Sequence, residues 1–139
     1  MRGHHHRLRG ARIRRRLGPD EWSVRARVER FGEPALLLLL REAPRHGYEL
    51  LDLLPALTGE ERVDMGNLYR VLRALEEDGV VASEWRDDLP GQVKRIYQLT
   101  PAGHALLDTW AAALRDSRAR VADFLDRYDG KEVNDAPRT

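Results

Sequence analysis

Apolar positions in the first half of the chain recur at helical spacing and predict three consecutive helices. The first begins near Pro34, a residue suited to a first helical turn, and ends by Pro44. The second is expected to end or kink at Pro55, because proline lacks the N–H that a helix interior requires. The third runs from Asp64, a good N-cap, to about Asp78. Their apolar faces predict a common core.

The apolar pattern then changes from helical to strand-like, which predicts a β-hairpin. Val80–Arg86 and Val93–Leu99 are rich in β-branched and aromatic residues, and Asp87–Gln92 between them contains a Pro-Gly turn pair. A long helix is predicted from Thr100, its N-cap, to about Tyr128. The predicted fold is mainly α with a small β-hairpin, a winged helix-turn-helix followed by a long C-terminal dimerisation helix.

A basic segment precedes this predicted fold. Residues 1–17 contain seven arginines and no acidic residue, whereas the whole chain has a net charge of +1. Residues 1–18 are expected to form a flexible arm that either holds phosphate groups or remains a solvated tail. Asp20–Phe31 is predicted to be a short extension helix that stops at Gly32.

Composition narrows the functional classes. The chain has no cysteine, which excludes disulfides and thiolate chemistry, and its longest apolar run, Ala35–Leu40, is too short to span a bilayer. It shows no nucleophile-and-base motif, Gly-rich phosphate loop or metal-ligand spacing, and His4–His6 lack a carboxylate and a rigid scaffold. We therefore expect a cytoplasmic protein with no catalytic activity, cofactor, metal or membrane partner.

The outer face of the third helix carries groups suited to DNA contact. Arginine can donate two parallel hydrogen bonds to guanine, Asn67 can pair with adenine, and Tyr69 can reach a phosphate. The alternative is a solvated face whose arginines pair with Glu76 and Glu77. The residues predicted to point outward and bind DNA are Gly66, Asn67, Tyr69, Arg70 and Arg73.

The hairpin supplies a second candidate for DNA contact. Gln92, Lys94 and Arg95 stand at the start of its returning strand, where a wing can touch the backbone or the minor groove. Asp87 and Asp88 in the same turn oppose this, and a purely structural ribbon is the alternative.

The last helix carries apolar positions at alternating spacings of three and four, a heptad pattern sustained for three repeats. We interpret this seam as a homodimer interface, because a second copy of the helix would cover a stripe of that length. The alternative is that the helix packs on its own domain. The seam residues are Leu107, Trp110, Leu114, Ser117, Val121, Phe124 and Tyr128.

These patterns divide the chain into five predicted parts. They are an arginine-rich flexible arm (1–18), an extension helix (19–32), a winged-helix domain (33–99), a dimerisation helix (100–129) and a disordered tail (130–139).

Three segments resemble the PadR-type transcriptional regulators in order, content and spacing. They read HGYEL (46–50), GNLYRVLRALEEDGVV (66–81) and KRIYQLTPAGHALL (94–107), and the similarity covers about residues 33–128. The resemblance implies a dimer that represses a nearby gene and releases DNA when a small molecule binds. It places Tyr69, Arg70 and Arg73 on recognition-helix positions, and Lys94 and Arg95 on the wing.

The resemblance also bears on Trp110. In some relatives the C-terminal helices frame an apolar cleft where aromatic ligands stack on tryptophan, which makes Trp110 a candidate for binding a small aromatic or hydrophobic effector. Plain interface core is the alternative. Two features depart from the family: the arginine arm with its extension helix precedes the family fold, and Pro55 interrupts the second helix where relatives continue.

The predicted function is that of a sequence-specific DNA-binding transcriptional regulator, a repressor that binds a pseudo-palindromic operator in double-stranded DNA as a homodimer. The alternative is a protein-binding winged-helix module that docks on another regulatory factor without touching DNA.

Overall fold

The computed structural model contains two compact units, Met1–Arg30 and Phe31–Thr139. The residues that the structure describes are 14–24, 31–59, 63–89 and 92–131. The predictions for His4–His6, for the rest of residues 1–13 and for residues 132–139 lie outside these ranges.

The described part of the first unit is an antiparallel hairpin of β1 (Arg14–Gly18) and β2 (Glu21–Val24). The predicted helix is therefore wrong over Glu21–Val24, and the last residues of the predicted flexible arm form a strand; residues 25–30 are not described. The physical reason is a pairing between strands: Arg16 lies opposite Trp22, and its guanidinium lies 4.3 Å from the indole centroid, a contact that favours the hairpin.

The second unit contains four described helices and a three-stranded antiparallel sheet in the order β3-β5-β4. The helices are α1 (Gly32–Glu42), α2 (Gly47–Thr58), α3 (Met65–Glu77) and α4 (Pro101–Tyr128), and the strands are β3 (Arg45–His46), β4 (Val81–Leu89) and β5 (Gln92–Leu99). The order confirms the winged helix with a long C-terminal helix. Gly32, predicted to stop a preceding helix, instead begins α1.

Side-chain caps explain where the later helices begin. The Asp64 carboxylate accepts a hydrogen bond from the N–H of Asn67 at 2.9 Å, and the Thr100 hydroxyl accepts one from the N–H of Gly103 at 3.1 Å. Both predicted N-caps are confirmed. At α2, His46 accepts from the N–H of Glu49 while the Glu49 carboxylate accepts from the N–H of His46, which closes a capping box.

Pro55 does not end α2, so the prediction is wrong on that point, and a kink at Pro55 stays a prediction. The helix continues to Thr58 and closes at Gly59, whose φ of 79° is left-handed and whose N–H donates to the Pro55 carbonyl at 2.9 Å. Because Pro55 lies in the last turn, its missing N–H removes one hydrogen bond from the end of the helix and leaves the earlier turns intact.

The core lies between α1, α2, α3 and the base of the hairpin. Its fully buried side chains are Leu36, Leu37, Leu50, Leu72 and Val81. The start of α4 joins this core through Leu107, which is 6% exposed, and through a close backbone approach at Gly103. A Cβ at Gly103 would collide with the Val80 carbonyl oxygen and the Leu99 side chain.

The hairpin is longer than its sequence suggests. Val81 pairs with Leu99 at its base and Leu89 with Gln92 at its tip, with a register shift between Arg86 and Leu89. Asp87 and Asp88, predicted as turn residues, therefore belong to β4. Among the helices described, none carries the continuous apolar length that crossing a bilayer requires.

Candidate nucleic-acid interface

Helix α3 has one buried face and one exposed face, as predicted. Leu68, Leu72 and Leu75 are 3%, 0% and 5% exposed and hold the helix on the core. The opposite face is presented to solvent because it falls on the other side of the 3.6-residue repeat. The exposed residues on it are Gly66, Asn67, Tyr69, Arg70 and Arg73. The structure thus brings the five predicted residues onto one surface.

The tyrosine of this surface is held by the start of α2. A Cβ at Gly47 would lie 2.8 Å from Tyr69 Cζ and collide with the phenolic oxygen, so a larger residue there would displace the ring from this position. Gly47 is buried under Tyr69, whereas its neighbour Tyr48 is 62% exposed. The exposure of Tyr48 was not predicted from residue spacing. Periodicity indicates the helix face on which a residue lies, but not whether another part of the chain covers that face.

The two arginines of α3 differ in their local partners. Arg70 donates a hydrogen bond of 2.6 Å to the side-chain oxygen of Asn67 one turn earlier. Arg73 forms no ion pair within the described ranges, and neither arginine pairs with Glu76. The alternative in which Glu76 and Glu77 pair with these arginines is therefore not seen among the described residues: Glu76 binds Arg95, and no ion pair joins Glu77 to Arg70 or Arg73.

Glu76 instead joins α3 to the hairpin. Its carboxylate accepts a hydrogen bond of 2.7 Å from the Ser83 hydroxyl and lies 3.4 Å from the Arg95 guanidinium. Arg95 also donates to Ser83 Oγ at 2.9 Å and lies over the rings of Trp85 and Tyr97, at 5.5 and 5.8 Å from their centroids. These contacts fix the wing relative to α3.

Tyr97 lies beneath this joint and is 4% exposed. Burial raises the pKa of its phenol, because the phenolate would be poorly solvated there, and the positive charge of Arg95 offsets part of that increase. The phenol therefore stays neutral to a higher pH than an exposed tyrosine does.

The predicted wing residues do not share one environment. Arg95 contacts Glu76 and Ser83. Lys94 is half-buried and lies opposite Arg86 in the ladder, and Gln92 pairs with Leu89 at the tip. The side chain of Gln92 is outside the described ones. Trp85 is 65% exposed on β4 and was not among the predicted site residues. Trp85 lies across the ladder from Arg95, and only the strand register identifies this pair.

The predicted dimer seam on α4 is divided into two parts. Leu107, Trp110 and Leu114 are buried or half-buried within the chain, whereas Ser117 and the seam residues after it are exposed. The exposed fractions are 57% for Val121, 67% for Phe124 and 79% for Tyr128. Packing on the same domain therefore accounts for the first part of the seam.

Trp110 lies at the edge of a cleft between α1, α2 and α4. The cleft has a volume of about 190 Å³ and is lined largely by apolar side chains, among them Leu38, Leu57 and Leu114. The indole N–H donates a hydrogen bond of 2.8 Å to the Glu33 carboxylate, which anchors the ring in this chain. Arg41 also lines the cleft and binds His104 and Asp108 of α4.

Comparison with known proteins agrees with this architecture. The model of the transcriptional regulator PadR-like family matches residues 36–109. The transcriptional regulator Rv3488 of Mycobacterium tuberculosis is 38% identical over 83 residues, which are 60% of this chain and 64% of Rv3488. The chain thus spans less than two thirds of the length of that relative.

Solved structures show the same fold. TA0346 of Thermoplasma acidophilum is 32% identical, with a TM-score of 0.55 over 68% of this chain and 89% of that one. Bacillus subtilis PadR, solved in complex with operator DNA, is 24% identical, with a TM-score of 0.53 over 60% of this chain and 48% of that one. Because the family match covers more than half of the sequence and the winged helix is present, the chain belongs to the PadR-like family of transcriptional regulators.

Proposed function

We propose that this regulator is a sequence-specific DNA-binding repressor that occupies a pseudo-palindromic operator as a homodimer. The observation that carries the proposal is the exposed outer face of α3, with Arg70 and Arg73 on it and with its leucine face buried. A helix held on the core by its apolar side exposes its polar side chains, which can then contact base edges in the major groove.

The side chains on this face divide into reading and positioning roles. Arg73, which has no ion pair among the described residues, is suited to donate two hydrogen bonds to guanine O6 and N7. Arg70 and Asn67 already bind each other at 2.6 Å, so they would contact a base edge or a phosphate as a pair. The Tyr69 hydroxyl, located by Gly47, is suited to a phosphate.

The wing supports α3 through its base and meets DNA nearer its tip. Lys94 and Gln92 are the residues we assign to backbone or minor-groove contact. Arg95 acts as a positioning residue, because its guanidinium is bound to Glu76 and Ser83. Loss of that joint would change the angle between the wing and α3, and with it the fit to a groove.

Dimerisation is assigned to the exposed second half of α4. Val121, Phe124 and Tyr128 form an apolar stripe at heptad spacing, and a second copy of the same stripe would cover it with two-fold symmetry. Paired helices would present two copies of α3 to successive major grooves, about 34 Å apart along a duplex. A pseudo-palindromic operator follows from that symmetry.

A small aromatic or hydrophobic effector is assigned to the cleft beside Trp110. Its volume of about 190 Å³ suits a single ring rather than a large ligand. A ligand that binds better when α1 and α4 are arranged for the released state would shift the dimer away from DNA.

The recognition assignment is tested by changing both arginines of α3 together. Arg70→Ala with Arg73→Ala should weaken operator binding by at least 30-fold in a gel-shift titration, since each lost base contact costs about 1–3 kcal/mol. Binding to a scrambled duplex should fall much less, and a reporter gene should be derepressed. Arg115→Ala with Arg118→Ala, which removes two exposed arginines from α4, is the matched control.

Unaltered operator binding by the α3 variant would contradict the recognition role. If the wild-type protein also failed to prefer its operator over the scrambled duplex, docking on another regulatory factor would replace the DNA-binding proposal.

A further inference from the structure

The N-terminal hairpin, residues 14–24, precedes the segment that the PadR-like family model matches. Its apolar side chains are not buried within it: Leu17 is 55%, Trp22 47% and Val24 65% exposed. Isolated two-stranded hairpins are at best marginally stable in water, so a ligand that fits the ribbon would stabilise it. The chemistry of that ligand can be argued from charge.

The N-terminal unit is strongly cationic. Residues 1–30 contain ten arginines and three acidic residues, a net charge of +7, whereas residues 31–139 have a net charge of −6. Positive charge of this density attracts polyanions, and binding to a phosphate backbone gains free energy from counterion release. A duplex is the polyanion that the proposed function already supplies.

The strand register distributes arginine to both faces of the ribbon. Arg16 pairs with Trp22 and Arg15 with Ser23, and adjacent strand positions point to opposite faces. On one face the Arg16 guanidinium lies 4.3 Å from the Trp22 ring centroid and donates a hydrogen bond of 2.9 Å to the Pro19 carbonyl. On the other face Arg15 is exposed.

This two-sided arrangement suits a groove better than a flat surface. The major groove is about 12 Å wide, admits a two-stranded ribbon, and has phosphates along both walls. A ribbon that lies on a lipid surface needs one apolar face. Here Trp22 shares its face of the hairpin with Arg16, and Leu17 is the residue that follows Arg16 in β1. The distribution of charge therefore favours DNA over a membrane.

We propose that the N-terminal hairpin is a second DNA-contacting element, a β-ribbon that enters a groove and places Arg15 and Arg16 against phosphates on its two walls. The inference rests on the proposed function, since the operator bound by α3 holds the ribbon at high local DNA concentration. The ribbon adds affinity that depends on salt and little on sequence, because phosphates carry no base information.

The first test measures the salt dependence of operator binding by the full chain. Arg15→Gln with Arg16→Gln should lower the slope of log affinity against log salt by about 2 per protomer, and affinity at moderate salt by 10-fold or more. Arg15→Lys with Arg16→Lys keeps both charges and should retain most of the slope. Arg115→Gln with Arg118→Gln removes the same charge from α4 and should leave the slope unchanged.

Arg16 also stacks on Trp22, so the double variant removes a contact within the hairpin. Arg15→Gln alone touches neither Trp22 nor the Pro19 carbonyl and should still lower the slope by about 1 per protomer. An unchanged slope in both the single and the double variant would overturn the proposal.

The second test uses Trp22 as a reporter. The fluorescence signal of Trp22 is obtained as the difference between the emission spectra of the wild-type protein and the Trp22→Phe variant. Adding operator duplex to the full chain should change that signal, whereas vesicles of phosphatidylglycerol should not. A change with vesicles and none with duplex would assign the hairpin to a membrane surface and overturn its role on DNA.

The two proposals fail in distinguishable ways. If the wild-type protein binds operator and scrambled duplex equally, recognition by α3 fails, while the hairpin contribution is still measured from the slope on either duplex. If operator preference is intact and the hairpin variants bind like wild type, the hairpin proposal alone fails.

Discussion

In the first half of α4, Leu107 is 6% exposed and Trp110 packs against the domain core, whereas in the second half Phe124 is 67% and Tyr128 79% exposed. Both halves follow the same heptad spacing. One continuous apolar stripe therefore serves two surfaces: the first half holds the helix to its own winged helix, and the second half is available to a second copy. Heptad spacing predicts the apolar stripe, but it does not indicate whether the same chain or a second copy would cover it.

The largest expected effect comes from charging the exposed half. Phe124→Asp should raise the dimer dissociation constant by at least about 100-fold, because an unpaired carboxylate buried between two helices costs about 3–5 kcal/mol. Sedimentation would then show monomers, and circular dichroism would show unchanged helical content. Ala119→Asp adds the same charge to the opposite side of α4 and should leave dimers intact. Persistent Phe124→Asp dimers would place the interface elsewhere.

The buried half should behave as domain core. Leu107→Ala should lower the free energy of unfolding by about 2–4 kcal/mol, since it removes a buried side chain and leaves a cavity. Urea denaturation in the Phe124→Asp background separates this loss from dimerisation. Leu125→Ala, at a position that is 48% exposed, is the matched control and should cost under about 1 kcal/mol. Equal losses at both positions would erase the contrast between the halves.

At the boundary between the two halves, Trp110→Phe removes the indole N–H that binds Glu33 at 2.8 Å. We expect a loss of about 1.5–3 kcal/mol in the free energy of unfolding, the usual net contribution of a hydrogen bond to a charged group. Glu33→Gln keeps an acceptor oxygen for the indole and should cost less, as thermal unfolding would show. A Trp110→Phe protein as stable as wild type would mean that ring packing alone fixes this position.

The smallest expected effect concerns the ion pair between α1 and α4. Asp108→Asn removes the carboxylate that Arg41 contacts at 2.9 Å, but Asp108 is 70% exposed, so solvent screens the attraction. The free energy of unfolding should fall by less than about 1 kcal/mol. A loss above about 2 kcal/mol in urea titration would show that this pair, rather than apolar packing, anchors α4.

The N-terminal hairpin shows where local reasoning failed. Val24, Val28 and Phe31 have helical spacing, which predicted a helix from Asp20, yet Glu21–Val24 is a strand. Intrinsic propensity is a weak guide when a partner strand is available, and the pairing of Arg16 with Trp22 depends on residues on both sides of a turn.

The wing shows a contact that spacing along the chain does not supply. Arg95 has the charge and the position of a DNA ligand, which stays a prediction, and Glu76, 19 residues earlier in the chain, lies 3.4 Å from its guanidinium. No spacing rule pairs those two residues, because they meet only after the hairpin folds back on α3. Likewise, Trp85 and Tyr48 were identified as exposed aromatic residues only from the folded chain.

The amino-acid sequence by itself determined the helix starts at Asp64 and Thr100, the outward face of α3, the presence of the hairpin and the resemblance to the family. Each depends on residues a few positions apart, whose caps, turns and periodicity act locally. The tertiary structure alone decided which arginines keep their charge unpaired and which half of α4 is covered. Those properties depend on side chains brought together from distant parts of the chain, and burial and pairing exist only once these have met.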